Sequence, residues 1–178
     1  IGVIVTMVIT LLFFQFGLLH NWFYAIIGLL LVGIIAFLFT TVAANAIAIV
    51  GTNPVSGMTL MTLILASIIL VATGLSGTAG MVSALIIGGV VCTALSMAGG
   101  FITDLKIGYW LGSTPVKQES WKFLGTLVSA ATVGGVILIL NQTYGFTSGQ
   151  LAAPQANAMA AVIEPLMSGA GAPWALYA

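Results

Sequence analysis

The chain has 178 residues, of which 61% are hydrophobic and 3% are charged, and its mean hydropathy is +1.25. A soluble domain carries about 25% charged residues, so water is excluded as the solvent of most of this surface. The formal net charge of zero leaves no basic patch for a nucleic acid, and the single cysteine, Cys92, can build neither a disulfide framework nor a thiol metal site within the chain.

The formally charged residues are Asp104, Lys106, Lys117, Glu119, Lys122 and Glu164. Their crowding between 104 and 122 is what apolar spans separated by short loops leave behind. Ile1 opens directly into apolar sequence with no basic n-region or small-residue cleavage site ahead of it, so a signal peptide does not explain the start. The expectation is a piece of a larger protein.

A helical span needs about 20 apolar residues to cross about 30 Å of hydrocarbon. In chain order, the first predicted span is 1–19, closed by His20-Asn21. The second is 22–45, with Trp22 and Tyr24 placed as interfacial anchors. The third, 58–73, is short. The fourth is 78–99, and the fifth is 123–140, followed by Asn141-Gln142-Thr143-Tyr144. A short helical segment at 155–166 and the start of a further span from 173 complete the pattern. None of these runs alternates polar and apolar residues as an outer-membrane barrel strand would. The predicted fold class is therefore all-α: a polytopic integral membrane protein with about five transmembrane helices plus broken or short elements, forming one unit of a larger bundle.

All three lysines fall between the fourth and fifth spans, so the 104–122 loop is expected in the cytoplasm, with the His20-Asn21 and Thr73–Thr78 connections outside. A solvated outer-loop histidine is then the expected state of His20. The fourth span carries a small residue every four positions: Gly80, Ala84, Gly88, Cys92, Ser96 and Gly100. Lipid offers no hydrophobic drive between helices, so such a row predicts close helix packing.

Two stretches break the helical pattern. Gly51-Thr52-Asn53-Pro54-Val55-Ser56-Gly57 cannot be one helix through Pro54, because proline lacks the amide donor and clashes with the preceding turn. Irregular backbone at membrane depth must be buried in protein or line a water-filled cavity, and an ordinary short cytoplasmic turn fits the same residues. Between Pro154 and Pro173, Gln155–Leu166 has an apolar face of Met159, Val162, Ile163 and Leu166, with Glu164 as its one charge. Glu164 is either a functional carboxylate or the solvated end of an outer interfacial helix. Asp104 and Lys106 read as an interfacial ion pair, with Tyr109 and Trp110 in the aromatic belt. There is no Walker A loop, no paired carboxylates, no His/Cys ligand cluster and no nucleophile beside a base, so neither an enzyme nor a metal or cofactor site is expected here.

The run Ile102-Thr103-Asp104-Leu105-Lys106-Ile107-Gly108-Tyr109-Trp110-Leu111-Gly112-Ser113-Thr114-Pro115-Val116-Lys117-Gln118, together with Asn53-Pro54-Val55-Ser56-Gly57-Met58-Thr59, resembles the oligopeptide transporter (OPT) family. Pro154-Gln155-Ala156, Met159-Ala160 and Pro173-Trp174 fit the same family's approach to its next span. Within that family the chain is more similar to the yellow-stripe-like and bacterial members. It lacks the Asn-Pro-Gly and Lys-Ile-Pro-Pro-Arg signatures of the fungal and plant peptide branch. The resemblance implies a proton-coupled symporter of small peptides or metal–chelate complexes in the cell membrane, working with the remaining transmembrane helices of the same protein. Such a transporter is compatible with a homo-oligomer. It places Asn45, Asn53, Pro54, Ser56 and Gly57 on the substrate pathway and makes Asp104, Lys106 and Glu164 candidates for proton-linked or gating roles. A scaffold or channel-forming subunit is the competing expectation, and it has no need of a broken element at depth.

Overall fold

Apolar runs of this length form helices in a membrane because every backbone group must then be satisfied within its own segment. The computed structural model describes residues 7–12, 15, 22–52, 55–75, 77–145 and 154–167, with the backbone alone at 55 and 56. Among the described residues there is no strand. From Trp22 onward the described residues form five helices in succession: α1 (Trp22–Val50), α2 (Val55–Ala72), α3 (Gly77–Leu111), α4 (Pro115–Tyr144) and α5 (Pro154–Met167). Of the first expected span only 7–12 and 15 are described, and 7–12 are helical. The segment from 173 lies outside the described residues.

Three helices run further than hydropathy alone places them. α1 continues past Asn45 to Val50 because the Asn45 amide donates to the Thr41 carbonyl at 3.1 Å, so the polar side chain is satisfied without leaving the helix. It stops where Gly51 takes a φ of +76° and donates its N–H to the Ile47 carbonyl, a left-handed cap that glycine adopts without steric cost. α3 continues through Gly99-Gly100 to Leu111, and α4 begins at Pro115 rather than near 123. A glycine inside a helix costs about 1 kcal/mol relative to alanine, which is not enough to end one. At about 1.5 Å per residue the 35 residues of α3 and the 30 of α4 reach about 52 and 45 Å, well beyond the hydrocarbon thickness. Residues 104–122, expected as a loop, are thus two helix ends joined by Gly112-Ser113-Thr114.

The chain divides into two compact units, Ile1–Gly99 with Ala158–Ala178, and Gly100–Asn157. In the first, α1 packs on α2, and the Tyr24 hydroxyl reaches the Thr73 carbonyl at 3.5 Å. α2 buries Leu63, Ala66 and Leu70, and α3 buries Ala84, Ile87, Val91 and Leu95. The two helices meet where Leu63 lies on Gly88. Gly80 receives the sulfur of Met167 from α5, whose Val162 and Ile163 are also buried.

The small-residue row of α3 serves this packing over only part of its length. Gly80, Ala84 and Gly88 are buried, Cys92 is half-buried, and Ser96 is exposed. Burial passes instead to Ile87, Val91, Leu95 and Gly99. Successive positions four apart advance about 40° around a helix of 3.6 residues per turn, so a neighbour cannot follow one such row from end to end.

In the second unit α4 has no buried residue. Phe123, Leu127, Val136 and Leu138 are all exposed, and a Cβ added at Gly125, Gly134 or Gly135 would meet nothing. Length and composition still suit α1, α3 and α4 to crossing a membrane.

Candidate functional site

The densest polar chemistry lies at the α3–α4 turn. Gly112 ends α3 with a φ of +67°. Its N–H bonds to Tyr109 O at 3.3 Å, and that of Ser113 bonds to Gly108 O at 2.9 Å. This paired cap turns the chain sharply, and Thr114, extended before Pro115, delivers it into α4. The turn sets an antiparallel register in which two α4 side chains reach back to α3. Gln118 Nε2 donates to the Asp104 carbonyl at 2.6 Å, and its amide lies on buried Gly108, where a Cβ would collide with it. One turn further, Lys122 Nζ meets Asp104 Oδ2 at 2.6 Å and sits 4.2 Å from the centre of the Phe101 ring. Gly100 leaves room for that ammonium, since a Cβ there would stand 3.1 Å from Nζ.

Asp104 therefore pairs with Lys122 and not with Lys106, as the sequence suggested. Residues two apart on a helix point to different sides, and Lys106 instead lies 5.6 Å from the Trp110 ring centre. Sequence reasoning overlooked Gln118, Glu119 and Lys122 as site residues. Gln118 and Glu119 stand four and three residues before Lys122, spacings that make each its neighbour on α4, but which residues of α3 they meet depends on the register fixed by the turn.

The other expected residues are placed as follows. Asn45 is an exposed residue of α1, with Thr41 one turn before it. Asn53 and Pro54 lie outside the described residues. Ser56 falls in the first turn of α2, and Gly57, next to it, is exposed with open space around its Cα. Glu164 is an exposed residue of α5, beside buried Ile163. Glu164 belongs to the first compact unit and Asp104 and Lys106 to the second. Among the described residues no group of His, Cys, Asp and Glu could hold a metal ion. Hydroxyls inside the apolar helices mostly bond back to their own backbone, as Thr62 does to Met58 and Ser83 to Ala79, both at 2.8 Å.

Long apolar helices, mostly self-satisfied hydroxyls and charge gathered, apart from Glu164, about one turn define an all-α polytopic membrane protein. Comparison with known proteins narrows the class. The family described as "OPT oligopeptide transporter protein" matches over residues 1–178, and the chain belongs to that family. A protein of Haemophilus influenzae named "Putative oligopeptide transporter" is 28% identical over 155 residues, covering 75% of this chain. The chain spans 24% of that relative's length. No solved structure matches it.

Proposed function

We propose that the full-length protein is a proton-driven symporter in the cell membrane that imports small peptides, with metal–chelate complexes as the second substrate class to test. It is not read as an enzyme. The observation that carries this is the family match over the whole chain.

In this reading the α1–α2 break lines the substrate route. Asn53, Pro54, Ser56 and Gly57 stand at the break, and Asn45 stands one and a half turns before it. An exposed asparagine in an apolar span needs a protein or water partner for its remaining hydrogen-bonding capacity. Asp104, Lys106 and Glu164 are the ionisable groups proposed for gating or proton-linked steps. The α3–α4 turn, flanked by all three lysines, faces the cytoplasm.

Uptake of a labelled tripeptide panel by proteoliposomes, with and without an inward proton gradient, tests the reading. Gradient-dependent accumulation is expected, and accumulation indifferent to the gradient refutes proton drive. Asn53→Ala and Asn45→Ala should lower uptake while leaving membrane insertion intact. Ser56→Ala should be milder, because one hydroxyl bond contributes about 0.5–1.5 kcal/mol net.

A further inference from the structure

The turn holds three acceptor atoms that nothing among the described residues satisfies. Both carboxylate oxygens of Glu119 and the Oε1 of Gln118 are shielded from solvent, and none has a hydrogen-bond partner among the described residues. An uncompensated carboxylate removed from water costs several kcal/mol, so a working protein supplies it with a counter-charge.

The lysines, all among the described residues, do not provide it. Lys122 stands three residues further along α4, but its ammonium is held by Asp104 at 2.6 Å and lies over Phe101. Lys106, on α3, lies over Trp110. Lys117 is exposed and two residues before Glu119, a spacing that sends the two side chains to different sides of the helix. The sequence contains no arginine.

We infer that the Glu119 carboxylate is a receptor for an N–H-bearing cation, an alkylammonium or a guanidinium. An ammonium has N–H donors enough for both free carboxylate oxygens, and a guanidinium can meet a carboxylate through two parallel bonds. Two sources carry this chemistry: the amino terminus of a transported peptide, which rests on the peptide-import reading, and a basic side chain from another part of the full-length transporter.

The test uses full-length protein bearing Glu119→Gln, which keeps the shape and removes the charge, with Glu119→Asp as a charge-retaining control. In the first arm, peptides with a free amino terminus and their N-acetylated counterparts are compared in proteoliposome uptake. If the substrate is the source, wild type discriminates against the acetylated peptides and Glu119→Gln loses that discrimination. Apparent affinity for the free amine then weakens by about 30-fold or more, as when one partner of a buried charge pair is removed. In the second arm the unliganded proteins are melted. If a basic side chain is the source, Glu119→Gln melts several degrees below wild type, Glu119→Asp lies between them, and acetylation is without effect. Either pattern supports the cation site. A Glu119→Gln protein that matches wild type in both arms overturns it. Should wild type move no peptide at all, the import reading fails by itself, and the melting arm still decides whether Glu119 binds a cation.

Discussion

Gly88→Ala tests the contact between α2 and α3. The new methyl would stand 2.5 Å from Leu63 Cδ2 and 3.0 Å from its Cγ. Carbon atoms prefer about 3.5–4.0 Å, so Leu63 must retreat by about 1 Å. It has little room to do so, being 1% exposed. Overpacking of this kind costs about 1–3 kcal/mol. Alanine returns about 1 kcal/mol of helix propensity over glycine, so the net loss falls between about zero and 2 kcal/mol. The sharper signal is the coupling. Leu63→Ala alone leaves a void at the same spot, and in the double variant the Gly88→Ala methyl partly fills it. The double variant should therefore be more stable than the sum of the singles by about 0.5–3 kcal/mol. Thermal melting of the detergent-solubilised full-length protein, followed with a thiol-reactive dye, measures all four corners of the cycle. Additive effects, or a Gly88→Ala protein more stable than wild type in both backgrounds, would refute the packing of Leu63 on Gly88.

Other expectations concern the α3–α4 turn. Gly108→Ala should eject the Gln118 amide and break its bond to the Asp104 carbonyl, a loss of about 0.5–1.5 kcal/mol plus strain. Adding Gln118→Ala to it should cost little more in the same melt. Lys122→Met keeps the apolar stem and removes the ammonium. Because the Asp104 side chain is 41% exposed, water compensates it, and the expected loss is under about 1 kcal/mol and narrows in high salt; a loss unchanged by salt would contradict an ion-pair origin. For topology, in a Cys92→Ala background, Ser113→Cys should resist an impermeant maleimide added outside intact cells while Thr143→Cys reacts. The reverse pattern would invert the assigned orientation.

The helical, membrane-spanning character was legible because composition alone excluded water as the main solvent, and the family was legible in Asp104–Gln118. Helix ends were less so. Hydropathy falls at Gly99-Gly100 and rises again at Phe123, yet backbone geometry responds to turn chemistry, and it is Gly112 that ends α3 and Pro115 that begins α4. Asn45 looked like a boundary because it is polar, whereas its amide is absorbed by a carbonyl one turn back. The partner of Asp104 could not be read at all. Lys106 is nearer in sequence, but only the register set by a three-residue turn brings Lys122 to it. Glu119 passed unremarked because a carboxylate between two lysines looks well compensated until the direction of each side chain is known.

The seam between α2 and α3 bears on how the chain enters a membrane during synthesis. α2 has 18 residues, about 27 Å, a little less than the hydrocarbon thickness, and it buries Thr59, Thr62 and Ser67. It emerges from the ribosome before Gly88 of α3 exists to receive Leu63. Its side chains then face lipid with hydroxyls where a partner helix belongs, and a marginal span of this kind gains its full stability once the next helix arrives beside it. α2 is accordingly expected to settle in the membrane together with α3, and a bulkier residue at Gly88 should show itself as early as biogenesis, in the yield of correctly threaded protein.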